Sequence, residues 1–300
     1  MRVIRRINIW LLTTLVLLAM AGWATSPVPG GAQQPLRPVH HVVIMSFDGV
    51  RADAARMVIP PSMLAQAAYT WTARTILPSS TLPAHTSMLT GVPPSVHGVR
   101  INPNFPRGHI RISTVFSVVT ESGGRAAAFV AKPKLLYLVR PGTAARAEFV
   151  PYPKNDSVDV AREAARYLAV NQPHLLFIHV ADPDDQGHRY GWMSPPYLAA
   201  VRRIPETVGV ILDVLRRMGR LDDSLVIVTS DHGGHGRIHG SARPEDVIIP
   251  WLAFGAVEPG PITRPVVTYD TAATAIAALG MKIPATWQGT PVLQTVEKVR

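Results

Sequence analysis

The sequence predicts an α/β fold with a mostly parallel central sheet and helices on both faces. Three observations carry this expectation. Short apolar runs rich in β-branched residues recur along the chain, and helical stretches separate them. The runs are near-continuously apolar, as strands covered on both faces are, and lack the in–out alternation of a sheet with one wet face. No repeat or internal linker interrupts residues 39–300, which are therefore expected to form a single domain.

In order, "HVVIMSF" (41–47) reads as a buried strand, ended by Asp48-Gly49. A helix is expected over 83–90, where Pro83 suits a helix start, and another over 113–122. "AAAFVA" (126–131) is a weaker strand, followed by a helix over 156–170. "HLLFIHV" (174–180) and "SLVIVTS" (224–230) are strong strands flanking a long helix over 195–218. "VIIPWLAFG" (247–255) is a further strand in which Pro250 suggests an edge or a break, and a helix over 270–279 follows.

Residues 1–24 begin with Arg2, Arg5 and Arg6, continue as an apolar run and end in small residues. That is the pattern of a secretory signal peptide cleaved after Ala24, and it implies export to a periplasmic or extracellular space. Left uncleaved, the same segment would be a membrane anchor. Residues 25–38 are rich in Pro, Gly and Gln and read as a disordered lead-in.

The 300 residues carry a formal charge of +10. Without residues 1–24 the balance is 27 basic against 20 acidic, or +7. The basic residues are scattered and not interleaved with aromatics, which argues against a nucleic-acid-binding surface. With no cysteine, thiolate chemistry, Cys-based zinc sites and disulfides are excluded, so an exported chain must rely on its core.

Three strands end in acids. The first runs into Asp48, the third into "DPDDQGH" (182–188), and the fourth into Asp231-His232. One Asp after a strand is ordinarily a turn or cap residue. Three at the carboxyl ends of strands of a parallel sheet converge where such sheets bind ligands. Asp48, Asp184, His188, Asp231 and His232, with one or both of His235 and His239, are a ligand set for zinc, or for manganese at a more oxygen-rich site. Six or seven ligands exceed what one catalytic ion with an open position uses, and suit two ions sharing a substrate at phosphorus. Ser79, Ser80 and Thr81 supply hydroxyls just before Pro83, at an expected helix N-terminus that favours negative charge. They read equally as helix N-caps.

These residues resemble the alkaline phosphatase superfamily, and within it the type I phosphodiesterase/nucleotide pyrophosphatase family. The resemblance runs from about residue 40 to 280. It rests on "DG-x-R" at Asp48–Arg51, "T-x-P-x-H-x-x-x-x-T-G-x-x-P-x-x-H-G" from Thr81 to Gly98, "PD-x-x-GH" from Pro183 to His188, and "DHG" from Asp231 to Gly233. It implies an alkaline phosphatase-like fold and an exported metal-dependent hydrolase of phosphate esters, with phosphodiesters and nucleotide pyrophosphates as the leading substrates. Thr81 would be the nucleophile, forming a covalent phosphothreonine. One ion would be held by Asp48, Thr81, Asp231 and His232, the other by Asp184, His188 and His239. Zinc is the expected metal, with manganese the alternative. Asn102 would hydrogen-bond a non-bridging phosphate oxygen. His239 is chosen because its "HG" leads into an acidic pair and the next strand, which leaves His235 behind the ligands or facing solvent. The segment between "DHG" and His239 is shorter here than is usual in the family.

Other residues are read more plainly. His85 and His97 are placed as supporting or packing groups, and His40, His41 and His109 as surface histidines. His179 is placed as a satisfied interior histidine. Asp185 is taken for a solvated loop acid, with orientation of His188 as the alternative. Lys132 and Lys134 read first as solvated lysines near a strand end. The alternative is contact with substrate phosphate, for which Lys132 is the candidate. Tyr190, Trp192 and Tyr197 are assigned to packing rather than to a leaving-group pocket.

The partner expected is a small phosphate ester, and a membrane only if the N-terminal segment stays uncleaved. Competing functions are a phosphomonoesterase, a transferase of lipid headgroups, and a non-catalytic binding module on the same fold. A sulfatase is disfavoured, because its formylglycine arises from Cys or Ser and Thr81 cannot yield it.

Overall fold

A computed structural model describes residues 38–151 and 157–292. The expected signal segment (1–24) and all of the lead-in (25–38) except Pro38 lie outside the described residues. All the described residues belong to one compact unit.

The chain begins with β1 (His41–Phe47), every residue of which is buried. Helices α1 (Ala52–Val58) and α2 (Pro61–Leu64) lead to β2 (Ala68–Arg74). Then come α3 (Thr81–Thr90), α4 (Pro94–His97) and α5 (Val115–Glu121), the last started by a reciprocal capping box between Thr114 and Ser117. Strand β3 (Ala126–Val130), a 3-10 turn over Pro133–Leu138 and strand β4 (Arg146–Phe149) follow. Helix α6 (Ser157–Asn171) precedes β5 (Leu175–Val180), which runs into α7 (Asp182–Tyr190). Helices α8 (Pro195–Val201) and α9 (Ile204–Arg217) come before β6 (Ser224–Thr229). The described chain closes with α10 (Pro244–Val247), β7 (Ile248–Gly255), β8 (Gly260–Pro261) and α11 (Asp270–Ala278).

The eight strands form one sheet in the order β4-β3-β5-β1-β6-β7-β2-β8. Every pairing is parallel except those of β7, which runs against both β6 and β2. The side chains of β1 alternate between two apolar layers. Val42 and Ile44 join the layer under α3, α5 and α11, whereas Val43, Met45 and Phe47 join that under α1, α6, α8 and α9. The mostly parallel sheet with both faces covered is thus as the sequence predicts.

Three details differ from expectation. Pro250 marks neither an edge nor a break: β7 is interior, and its neighbour β2 changes register between Thr70 and Ala73, opposite the proline. An irregular ladder has no hydrogen bond for the missing N–H to leave unmade. The single helix expected over 195–218 is two, with Pro205 in the first turn of α9. A proline N–H cannot serve a helix interior but is dispensable at a helix start. Finally, the sequence does not anticipate β2, β4 and β8 as strands, nor α1, α2, α4, α7 and α10 as helices.

No described helix is long and apolar enough to cross a membrane.

Candidate active site and metal-binding cluster

Four neighbouring parallel strands, β3-β5-β1-β6, release chemistry-bearing residues at the same edge of the sheet. Lys132 follows β3 by one residue, and Asp184 lies in the first turn of α7, directly after β5. Asp48 directly follows β1, and Asp231 and His232 follow β6 after Ser230. Strand order, not sequence order, decides which of these groups meet.

Asp48, Asp231 and His232 are fully buried and form one cluster of possible metal ligands. The Nε2 of His232 lies 3.3 Å from both Asp48 Oδ1 and Asp231 Oδ2. Asp184, His239 and again His232 form a second cluster. There His188 Nε2 lies 3.4 Å and His239 Nε2 3.8 Å from Asp184 Oδ1. The rings of His232 and His239 stack with centroids 3.8 Å apart, so the two clusters are contiguous.

The arrangement passes a test for cation binding. On each acid one oxygen is held by protein and the other is bare. Asp48 Oδ2 accepts from Lys132 at 2.8 Å and from His179 at 3.0 Å, while Asp231 Oδ1 accepts the Gly49 N–H at 3.2 Å. Asp184 Oδ2 accepts from Lys132 at 2.5 Å. The opposite oxygens, Asp48 Oδ1, Asp184 Oδ1 and Asp231 Oδ2, are buried without a hydrogen-bond partner, as is His232 Nε2. The three histidines follow the same rule. Their Nδ1–H groups donate to carbonyls, His188 to Arg237, His232 to Gly233 and His239 to Ser79, at 3.0, 2.8 and 2.9 Å. Each Nε2 lone pair is therefore left for a ligand. Bare buried acceptors are costly unless a cation meets them, so the donor set fits divalent ions.

The electrostatics agree. Burial raises the pKa of Asp48, but the Lys132 ammonium and His179 outweigh it and hold the carboxyl well below the usual range. Asp231 lacks such a partner, and burial followed by the charges of Asp48 and Asp184 pushes it well above that range. Burial, then His239, brings His232 down to about 4, so its ring is neutral and able to ligate at neutral pH.

Thr81 is the first residue of α3 and is buried. Ser80 holds the N-cap position without a side-chain capping bond, and Ser79 Oγ donates to the carbonyl of Ser241. The Leu82 N–H at this helix start donates instead to Asn102 Oδ1 at 3.1 Å, which leaves the Asn102 amide nitrogen for another partner. Thr81 and Asn102 share a cavity of about 420 Å³ with Lys132, Lys134, Asp184, His188 and His239. His85 ties the helix start to the sheet: its Nδ1–H donates to the Thr81 carbonyl and its Nε2 accepts from Ser46 Oγ, both at 2.8 Å.

The structure thus brings together Thr81, Asn102, Lys132, Asp48, Asp184, His188, Asp231, His232 and His239. Several plainer readings need correcting. Lys132 and Lys134 are not solvated strand-end lysines: β3 lies beside β5 and delivers Lys132 to Asp48 and Asp184, while Lys134 is buried and donates to Asn102 Oδ1. His179 is a direct partner of Asp48, and its buried Nδ1 has no hydrogen-bond partner. It is the penultimate residue of β5, paired with Ser46 of β1, and that neighbourhood is not revealed by sequence alone. His41 is buried, with Nδ1–H donating to the Pro173 carbonyl, because β1 is central. Asp185 lies on α7, not in a loop. Tyr190 is exposed rather than packed, while Trp192 and Tyr197 are buried and both donate to the Gly49 carbonyl. His235 pairs with Asp246 at 2.7 Å, and Asp246 also accepts from Ser241 N–H and Oγ–H. That pair braces the turn carrying His239.

Comparison with known proteins places this geometry. The family model described as "Type I phosphodiesterase / nucleotide pyrophosphatase" matches residues 42–239. Ectonucleotide pyrophosphatase/phosphodiesterase family member 1 of Homo sapiens is 24% identical over 233 residues, covering 68% of this chain and 24% of the relative. Member 7 of the same human family is 25% identical over 247 residues, covering 74% of this chain and 53% of its own length. The chain therefore spans about a quarter to a half of these relatives. Murine ectonucleotide pyrophosphatase/phosphodiesterase 5, inactive and in complex with AMP, superposes with a TM-score of 0.68 at 15% identity, covering 83% of this chain and 97% of that one. A 2-O glycosaminoglycan sulfatase superposes with a TM-score of 0.67 at 14% identity, covering 84% and 73%. These structures share the alkaline phosphatase-like α/β fold.

Proposed function

The chain belongs to the type I phosphodiesterase/nucleotide pyrophosphatase family, and from that premise we propose that it is an exported, metal-dependent hydrolase of phosphate esters with Thr81 as nucleophile. The observation that carries the reading is that Thr81, at the start of α3, shares a cavity with Asp184, His188 and His239, one of two contiguous clusters whose buried acid oxygens Asp48 Oδ1, Asp184 Oδ1 and Asp231 Oδ2 have no hydrogen-bond partner.

Asp48, Asp231, His232 and Thr81 would hold one divalent ion, and Asp184, His188 and His239 the other, with zinc the metal best matched to this donor set. Bound there, the ions supply Lewis acidity, lowering the pKa of a hydroxyl and offsetting charge on phosphoryl oxygens. Thr81 Oγ1 attacks phosphorus, the Oγ1–P bond forms, and the ester P–O bond breaks with its electron pair leaving on the departing oxygen. Water then cleaves the phosphothreonine and regenerates the hydroxyl. Asn102 donates its amide N–H to a non-bridging oxygen. Lys132, fixed by Asp48 and Asp184, adds a cation beside the same group.

Phosphodiesters and pyrophosphates are the substrates that the relatives' names support, and the prefix "ecto-" in those names agrees with the export expected from residues 1–24. Purified protein should carry about two zinc equivalents by elemental analysis and hydrolyse aryl phosphate esters. A metal content near zero, with no activity restored by added zinc, would refute the two-ion mechanism.

A further inference from the structure

Residues 100–111 lie in the loop between α4 and α5, which is pinned at two points. Asn102 Oδ1 accepts the Leu82 N–H at the start of α3, and the Ile110 N–H donates to the Tyr137 carbonyl. Pro103 and Pro106 stiffen the chain between these pins. Ile101, beside the first pin, is 73% exposed, and Phe105, between the two, is 83% exposed. Single apolar residues on a surface are ordinary and carry no meaning alone. These two are set among Arg100, Arg107 and Arg111, all exposed. No acid occurs in the sequence between Asp53 and Glu121, so no carboxylate on the loop offsets the arginines. Beside the loop, His109, Arg111 and Arg140 line a cavity of about 670 Å³ in which Glu121 is the one lining acid. Arg140 Nε is buried without a hydrogen-bond partner.

The surface thus makes two demands at once. Phe105 and Ile101 gain by leaving water, and the guanidinium groups around them gain by meeting anions. A soluble polyanion meets only the second demand. A bilayer with anionic headgroups meets both: its acyl region takes the apolar tips, while its phosphates lie at the depth where the arginine heads stay. We propose that residues 100–111 are a membrane-docking element that seats the protein on an anionic bilayer, independently of residues 1–24. Asn104 and Phe105 also line the cavity that holds Thr81. Docking through this loop therefore turns the mouth of the candidate active site toward the lipid.

The chain has no cysteine, so one introduced thiol can carry a polarity-sensitive nitrobenzoxadiazole dye on the full-length protein. Asn104→Cys places it on the loop with Phe105 and Ile101 kept, and Val170→Cys places it on the exposed end of α6 as a control. Each protein is titrated with vesicles of phosphatidylcholine, alone or mixed equally with phosphatidylglycerol, and separately with heparin. The dye at 104 should shift to shorter wavelength on the mixed vesicles and be quenched by brominated lipid, while the dye at 170 stays unchanged. With the dye at 104, Phe105→Asp should raise the lipid concentration needed for the shift about 10- to 100-fold. Arg107→Gln should raise it about 5-fold, and Arg107→Lys should restore most of that loss. Circular dichroism checks that these surface variants stay folded. No shift at 104, an equal shift at 170 or on phosphatidylcholine alone, or indifference to Phe105→Asp overturns the inference. The same shift with heparin in place of lipid would make the loop a polyanion site and overturn it as well.

Discussion

The two halves of the candidate site are built differently. Asp48, Asp231 and His232 sit at strand ends in the protein interior, and none is accessible to solvent. Asp184, His188 and His239 come from a helix and a turn, and the side chain of His188 is 46% exposed. The deep half is positioned by the sheet itself, so its geometry is as rigid as the core. The shallow half depends on braces: the Asp246 carboxylate between His235 and Ser241, and the carbonyls of Ser79 and Arg237 under the two histidines. On the proposed two-ion reading, the deep half would hold its ion firmly and the shallow half would hold the other at the more exposed side of the site.

Substitutions can break or sharpen that contrast. The largest effect is expected at the proposed nucleophile. Thr81→Ala should reduce turnover by roughly 10⁴-fold or more while the fold, read by circular dichroism, stays intact. Full activity in this variant would transfer the nucleophile to Ser79, Ser80 or water.

In the shallow half, His239→Ala should leave the protein nearly inactive and deplete one ion. His235→Ala acts only through Asp246 and the turn it braces, and should lose no more than about 10- to 100-fold. Activity and metal content measured together on both variants decide this ranking, and the reverse order would make His235 the ligand.

A third comparison lies within the deep half and concerns the metal-free protein. Asp48 is held between Lys132 and His179, so Asp48→Ala removes one of the two carboxylates on Lys132 and leaves the buried His179 Nε2 without a partner, and should cost about 1–3 kcal/mol. Asp231 is the carboxyl that its neighbours push upward, so Asp231→Asn relieves repulsion and should be neutral or stabilising without metal. Denaturant melts in chelator would show the two variants diverging, and equal losses would refute the charge assignment.

The smallest effect is at His97, outside both halves. Its Nε2–H donates to Ser87 Oγ, its Nδ1 accepts the Val99 N–H, and burial, with Arg100 nearby, lowers its pKa from 6.5 to about 4. The unfolded chain then binds the proton first as pH falls, so stability is full above about 6.5 and declines toward 4. Between pH 7 and 5.5 the loss should be at most about 1 kcal/mol. Thermal melts of His97→Gln should show a shallower slope over that interval, and an identical slope would remove His97 as its source.

Much of this was legible in the sequence, for physical reasons. Strands buried on both faces must be apolar throughout, so β1, β5 and β6 announce themselves, and the acids that end them mark the ligand-binding edge. What sequence does not encode locally is which strands become neighbours. Lys132 looked like a surface lysine because nothing near it shows that β3 lies beside β5. His41 looked exposed because its burial comes from β1 being central. The strand β2, with the burial of its side chains broken by a register shift, fits neither a fully buried nor a cleanly alternating pattern. The role of Asp246 was hidden because it acts through His235 and Ser241, both several residues away.

Trp192 carries a consequence of another kind. Its indole N–H donates to the Gly49 carbonyl, its ring lies against His188 and His239, and the backbone of Gly187 and Gly234 presses on its face. A Cβ on Gly187 would come within 2.7 Å of the ring, and one on Gly234 would overlap it. In the language of heredity, one large side chain has made two distant codons nearly immutable. A drifting lineage can shrink Trp192 first and vary the glycines afterwards, but not in the opposite order. The route by which this pocket could be remodelled thus has a direction, set by the thickness of one aromatic ring.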